Sequence, residues 1–198
     1  MCLSLKKVVF ILTLVIFAHC LQAQTNSGKT VLAIEIDPAP YLTGGRSVFV
    51  RYKKDVSKIS VSAAVFGGSE LPGFLMTKEN KNNGFTAEKI RLGYAVFGDY
   101  FMKGEHKGLY FGPSLFLYNK SISKTNSPET ARYSVLYPNV RLGYIWYPFS
   151  RINLYVTPWL SLGSEINLDS KNEINGVKYK PRILDYIVAI HFGYSFSL

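Results

Sequence analysis

Hydrophobic and polar residues alternate along the last segment of the chain, from Asp185 to the C-terminus. Every second residue from Tyr186 to Leu198 is large and apolar, whereas the residues between them are small or polar, except for Ile187. Alternate residues of a β-strand share one face. The pattern therefore predicts a strand with one apolar and one polar face, which is typical of a strand that separates lipid from the interior of a transmembrane barrel.

Similar alternation predicts seven more strands upstream. They span residues 31–37, 46–53, 59–66, 89–101, 109–119, 133–147 and 154–163. Short turns alternate with longer polar connections, as expected for short periplasmic turns and longer outer loops. The sequence thus predicts an all-β fold, an eight-stranded antiparallel up-and-down transmembrane β-barrel, with both termini in the periplasm.

The N-terminal segment has a different composition. Lys6 and Lys7 precede an apolar run over residues 8–18, which is too short for a spanning helix. This order is typical of a secretory signal peptide. We predict a signal peptide over residues 1–23, cleaved on export, and an outer-membrane β-barrel domain over residues 24–198.

Both cysteines, Cys2 and Cys20, lie in the predicted signal peptide. Cleavage before Cys20, as in a lipoprotein, is the alternative, but His19 stands where a small residue is required. The exported chain would have no thiol, so we expect no disulfide, no metal site and no cofactor. Without Lys6 and Lys7, 21 of the 23 basic residues remain against 13 acidic ones, a formal charge of +8. In an exported chain this surplus favours anionic lipid or lipopolysaccharide over nucleic acid as a neighbour.

The polar strand faces carry charged residues, and three strands share a motif. Arg91-Leu-Gly-Tyr94, Arg141-Leu-Gly-Tyr144 and His191-Phe-Gly-Tyr194 recur at a spacing of 50 residues. The alternation places the first residue and the glycine of each motif inside. Because unpaired charge in a closed interior is costly, we predict internal ion pairs. The predicted inward charged cluster, structural in role, contains Glu35, Asp37, Arg51, Arg91, Asp99, Arg141, Asp185 and His191, and the inward glycines are Gly93, Gly143 and Gly193.

Four aromatic residues fall outward near the predicted periplasmic ends of the even-numbered strands. We predict that they form an interfacial aromatic girdle. They are Tyr52, Tyr100, Trp146 and Phe196.

Three prolines do not suit a closed barrel, because proline lacks the N–H that a strand donates to its neighbour. Pro113, Pro138 and Pro158 all fall inside predicted strands. We expect bulges, strand ends or positions at the outer rim there.

The alternation, the loop asymmetry, the closing strand and the signal peptide together resemble those of the small eight-stranded outer-membrane β-barrel proteins of Gram-negative bacteria. Their C-terminal recognition strand usually ends on an aromatic residue, whereas this chain ends on Leu198, with Phe196 two residues earlier. The resemblance implies a monomer in the cell outer membrane that contacts lipid and lipopolysaccharide, and the barrel-assembly machinery through its C-terminal strand. It implies a non-enzymatic protein with a structural, adhesion or surface-interaction role through its outer loops.

Two other functions stay open. An exported, soluble, lipocalin-like barrel would bind a small apolar ligand inside, although the charged inward face disfavours it. The aromatic residues of inward parity favour it, and they are Phe49, Phe97, Tyr110, Phe116, Tyr155 and Trp159. A lipid-modifying outer-membrane enzyme is the other alternative, since Asp185, His191 and Ser195 have the chemical types of a hydrolytic set.

One apolar patch, residues 71–76, interrupts the long polar loop over residues 67–86. Such a patch either binds a partner or a lipid, or folds back over the barrel mouth as a lid.

Overall fold

The computed structural model describes residues 30–54, 57–149, 151–181 and 184–198. The predicted signal peptide lies outside the described residues. The strands are β1 (Thr30–Ile36), β2 (Arg46–Lys54), β3 (Ile59–Gly67), β4 (Ser69–Glu70), β5 (Phe85–Phe101), β6 (Gly108–Lys124), β7 (Thr130–Ile145), β8 (Leu154–Gly163), β9 (Ile166–Asn167), β10 (Glu173–Ile174), β11 (Val177–Lys178) and β12 (Asp185–Ser197). The helices are α1 (Pro38–Leu42), α2 (Lys78–Asn82) and a 3-10 turn at Gly73–Leu75.

Eight strands close into a barrel. They pair antiparallel in the order β3, β2, β1, β12, β8, β7, β6, β5, and β5 pairs back with β3. At the junction of the first and last strands, Thr30 and Leu198 exchange two backbone hydrogen bonds, at 3.1 and 2.8 Å. The predicted all-β fold, an eight-stranded antiparallel up-and-down barrel, is therefore confirmed.

The two ends of the barrel differ. At one end, which we call the turn end, short segments join β2 to β3, β5 to β6 and β7 to β8. At the other, the loop end, longer segments carry α1, β4, the 3-10 turn, α2 and the β10–β11 hairpin. The β6–β7 connection, residues 125–129, also lies at the loop end but is short, because both strands extend into the predicted loop. The predicted alternation of short and long connections is present apart from this one.

Burial alternates along the barrel strands as the pattern predicts. On β12, Ala189 and His191 are buried inside, whereas Ile190 and Phe192 are exposed on the outside. The other strands likewise expose apolar residues on the outer surface. Among the described residues, no helix is both long and apolar enough to cross a membrane.

Each glycine of the repeat makes room for a ring on the adjacent strand. Gly93 pairs with Phe66, Gly143 with Tyr110 and Gly193 with Tyr155. A Cβ atom at any of the three glycines would collide with the ring of its partner. Glycine is therefore required at these three inward positions, because large rings fill the interior next to them.

The three prolines lie where the hydrogen-bonded ladder is interrupted. Pro113 faces the gap in the β5–β6 ladder between Phe97 and Tyr100, and Pro158 faces a similar gap between β7 and β8. Pro138 lies between the part of β7 that pairs with β8 and the part that pairs with β9. Of the expected positions, a strand end is found only at Pro138, which lies just beyond the end of the β7–β8 pairing. Pro113 and Pro158 lie at gaps without a change of register and therefore not at bulges.

Candidate functional site

The inner part of the barrel contains an ion-pair network at the level of Arg51. The guanidinium of Arg51 on β2 lies 2.7 Å from Oε1 of Glu35 on β1 and 2.6 Å from Oδ2 of Asp99 on β5. Arg141 on β7 donates from Nε and Nη2 to the two oxygens of the same Asp99, at 2.8 and 2.6 Å. All four side chains are buried, so each charge is compensated where water is excluded.

His191 joins this network through both ring nitrogens. The indole N–H of Trp159 donates to Nε2 of His191 at 2.9 Å, so Nδ1 carries the proton and donates to Oε2 of Glu35 at 3.0 Å. Tyr155 donates to Oε1 of Glu35 at 2.8 Å. The polar atoms of this group are therefore occupied by one another, which suits a structural role.

Five of the eight predicted cluster residues come together: Glu35, Arg51, Asp99, Arg141 and His191. Asp37 instead caps α1, where its Oδ1 accepts from the N–H of Ala39 at 3.0 Å. Asp185 lies at the loop end, half-buried, and its carbonyl accepts from the hydroxyl of Tyr137 at 3.0 Å.

The inward position predicted for Arg91 is wrong. Arg91 is exposed, because the register of β5 against β6 shifts between Ile90 and Leu92. Such a shift reverses the faces of the strand on one side of it. Alternation beyond Leu92 therefore does not extend back to Arg91.

The turn end is closed by a second group of polar rings. The Nδ1 atom of His106 lies 2.8 Å from the hydroxyl of Tyr147, which donates to Oγ of Ser195 at 3.1 Å. Burial, reinforced by the nearby Arg51 charge, lowers the pKa of His106 to about 3. His106 is therefore a neutral hydrogen-bonding group at neutral pH.

The hydrolytic alternative is not assembled in the structure. His191 bonds Glu35 and Trp159, whereas Ser195 contacts Tyr147 near the turn end and Asp185 lies at the loop end. The described residues also contain no group of three or more potential metal ligands.

The predicted girdle residues lie at the turn end. Tyr100, Trp146 and Phe196 are exposed on the outer surface and Tyr52 is half-buried there. Their role at a membrane interface stays a prediction.

A cavity of about 540 Å³ lies between this network and the loop end. Rings line its floor and loops form its roof, and its wall on one side is β12. The floor residues are Phe49, Phe66, Phe116, Tyr118 and Trp159, and the roof residues are Leu71, Pro72, Phe74 and Leu75. The apolar patch of residues 71–76 therefore folds over the barrel mouth, and Met76 packs into the core.

The ionic groups of the cavity wall form one cluster around Lys120. Lys120 on β6 lies 2.8 Å from Glu88 on β5 and also pairs with Glu165. Burial raises the pKa of Glu165, although Lys120 opposes the shift. Glu88 also accepts from the hydroxyl of Tyr179 at 2.6 Å.

Sequence analysis missed this second ionic group. Lys120 continues the inward parity of β6, but the predicted strand ended at Asn119. Glu88 precedes the register shift of β5, so no simple alternation places it inside. A longer predicted β6 would therefore have placed Lys120 inside, but the alternation offered no such signal for Glu88.

The loop segments of the roof are joined to each other. Asn80 of α2 donates to the carbonyl of Lys180 at 2.7 Å and accepts from its N–H at 3.0 Å. Asn172 donates to the carbonyl of Tyr179 at 2.7 Å. The Asn80 bonds hold the loop after β3 against the loop after β8, whereas the Asn172 bond lies within the loop after β8. Both Asn residues are fully buried.

The barrel wall beside the cavity is incomplete on one side. β12 pairs with β8 from Asp185 to Tyr194, but its pairing with β1 ends where Phe192 meets Ile36. Among the described residues, positions 187–191 of β12 have no strand paired on the β1 side, and α1 lies there instead. We call this boundary, where α1 lies beside β12 without strand pairing, the seam.

No protein-family model matches the chain, and no curated protein matches it. By its strand order and closure, the chain has the fold of an eight-stranded antiparallel up-and-down β-barrel. Among solved structures, the N-terminal β-barrel domain of Pseudomonas aeruginosa OprF is 14% identical, with a TM-score of 0.49 over 86% of this chain and 100% of that chain.

Two further solved structures match this barrel over the same share of its length. A major outer membrane protein from Thermus thermophilus is 13% identical, with a TM-score of 0.44 over 86% of this chain and 100% of that chain. Neisserial surface protein A (NspA) is 12% identical, with a TM-score of 0.38 over 86% of this chain and 95% of that chain.

Proposed function

We propose that this chain is an integral outer-membrane barrel whose loop end faces outward. The observation that carries the proposal is the distribution of polarity in the barrel: apolar side chains cover the outside, whereas a network of paired charges lies inside. A soluble barrel would expose that apolar surface to water, whereas lipid covers it without cost. The interior charges satisfy one another, as a closed dry interior requires.

The inner part of the barrel acts as a scaffold. Side chains of Arg51, Tyr110 and Tyr155 fill it and are almost completely buried. An eight-stranded barrel has an interior just wide enough for such side chains. We therefore propose a non-enzymatic protein whose role in adhesion or surface interaction resides in the cavity and loops of the loop end.

The remaining features of the proposal follow from this location. Residues 1–23 act as the signal peptide, and the barrel-assembly machinery recognises the C-terminal strand, in which Phe192, Tyr194 and Phe196 alternate on the outside. The protein works as a monomer, in contact with lipid and lipopolysaccharide.

The test is the behaviour of the expressed protein in membranes. We expect it in the outer-membrane fraction, resistant to carbonate extraction, with a gel mobility in mild SDS that changes on boiling because the closed barrel survives the unheated detergent. A soluble protein with one mobility would contradict the proposal. After chemical cross-linking, a single band of monomer size would support the monomeric state.

A further inference from the structure

We propose that the cavity holds a hydrocarbon chain of a membrane lipid, which enters sideways through the seam. This inference rests on the proposed membrane location. It concerns a part of the molecule that the scaffold network does not use, since the cavity lies on the loop side of His191 and Trp159.

The seam lies on the surface that faces lipid. Val188, at the edge of the cavity, is 69% exposed, and Ile190 next to it also points outward. On the far side of the seam, β2 exposes Val48 and Val50. An acyl chain beside β12 therefore meets an apolar surface that continues into the cavity.

The seam exists because β1 is short. Asp37 caps α1 directly after β1, and the prolines at positions 38 and 40 prevent further pairing of the chain with β12. β8 runs along the other edge of β12 over the full outer half. The wall is thus hydrogen-bonded between strands on the β8 side, whereas on the other side α1 packs beside β12 without strand pairing.

The cavity suits a hydrocarbon chain. Its volume of about 540 Å³ lies within the range of ligand pockets, roughly 300–1,000 Å³. Its ionic groups Lys120, Glu88 and Glu165 are paired with each other, and the N–H of Trp159 is bonded to His191. The surface left for a ligand is therefore mainly made of rings and aliphatic side chains.

The charges at the rim select against an anionic ligand. Asp37, Glu70 and Asp185 line the rim, and Lys180 is paired with Glu79 at 2.7 Å. A carboxylate or phosphate placed there would lie near like charges. The chain of a membrane lipid fits better than a free fatty acid, because the lipid headgroup stays outside in the bilayer.

The two tryptophans allow a direct test. Trp159 lines the cavity and is buried inside, whereas Trp146 is exposed on the outer surface. Two proteins, Trp146→Phe and Trp159→Phe, each keep one tryptophan. Each is refolded into vesicles of phosphatidylcholine or of phosphatidylcholine with brominated acyl chains, since bromine quenches the fluorescence of a neighbouring indole.

We expect brominated lipid to quench both tryptophans. Ile187 lies on the β12 side of the seam and lines the cavity, so Ile187→Phe should block the place where the seam enters the cavity. In the Trp146→Phe background, this change should remove most of the quenching of Trp159. Ile190→Phe, the same change on the outward face of the same strand, should leave the quenching unchanged. If Ile187→Phe loses the gel shift on boiling, the more flexible Ile187→Met replaces it.

The outcomes separate this inference from the proposed function. Equal quenching of Trp159 in the Ile187 and Ile190 variants, or none in either, overturns the lipid site while quenched Trp146 still places the barrel in the bilayer. Unquenched Trp146 overturns the membrane location itself. Quenching of Trp159 by a brominated long-chain alcohol added from water, but not by brominated phosphatidylcholine, shows entry through the roof and overturns the seam.

Discussion

Arg141 and Asp99 form a two-point ion pair inside the barrel, in which Nε and Nη2 donate to the two carboxylate oxygens at 2.8 and 2.6 Å. Asp99 also accepts from Nη1 of Arg51 at 2.6 Å. One carboxylate therefore holds two guanidinium groups that come from β2 and β7. The pairing across the barrel explains why a chain with a large basic surplus can bury arginine in its interior.

Removal of the Asp99 charge should destabilise the barrel strongly. Asp99→Asn keeps the shape but leaves the Arg51 and Arg141 charges undercompensated, so we expect a loss of about 3–5 kcal/mol in the free energy of unfolding. Urea unfolding of the refolded protein in vesicles measures it. Glu105→Gln is the control, because Glu105 pairs with Lys107 in an exposed turn, and it should leave the free energy of unfolding nearly unchanged. Equal losses in the two variants would contradict the internal network.

Gly143 should tolerate no larger residue while Tyr110 is present. A Cβ at Gly143 meets the Tyr110 ring, so Gly143→Ala should cost about 1–3 kcal/mol through overpacking. The loss should shrink in the Tyr110→Leu background, and the difference is the coupling energy of a double-mutant cycle. Gly98→Ala on β5 is the control, since nothing lies within 4 Å of its added Cβ. An unchanged loss in the Leu background would show that the ring is not the cause.

The free energy of unfolding should fall in mild acid because of His106. Its pKa is about 3 in the folded barrel and 6.5 in a free chain, so folding favours the neutral form. The contribution is complete above pH 6.5 and is lost as the pH falls towards 3, by up to about 1.4 kcal/mol per pH unit. In His106→Gln, which cannot take up the proton, the fall between pH 7 and 4.5 should be smaller. A pH profile identical to that of the original protein would contradict this assignment.

The roof should be held by Met76 rather than by Phe74. Met76 is buried in the core, whereas Phe74 is 78% exposed. Met76→Ala should open the loop locally, at a cost of about 2 kcal/mol or more, and speed tryptic cleavage at Lys78 and Lys81. Phe74→Ala should leave the cleavage rate near that of the original protein. Faster cleavage in the Phe74 variant would mean that the patch is not anchored as the structure shows.

The sequence alone was sufficient for the barrel and for part of the inner network. Strict alternation predicted the eight strands, since a period of two has only one consistent assignment of faces in a closed sheet. It also placed Arg51, Asp99, Arg141 and His191 inside, because these lie on regular stretches of strand. The alternation predicted the wrong face for Arg91, because a register shift of β5 cannot be recognised from the order of apolar and polar residues.

Local sequence determined the two faces of most strands and the inward position of the repeated glycines. Tertiary structure alone decided which charges meet, because Glu35 and His191 lie 156 residues apart in the chain and touch only through barrel closure. It also decided that β1 ends before the outer half of β12, which leaves the seam beside the cavity. The alternation sets the direction of a side chain, whereas strand register and length set its neighbours.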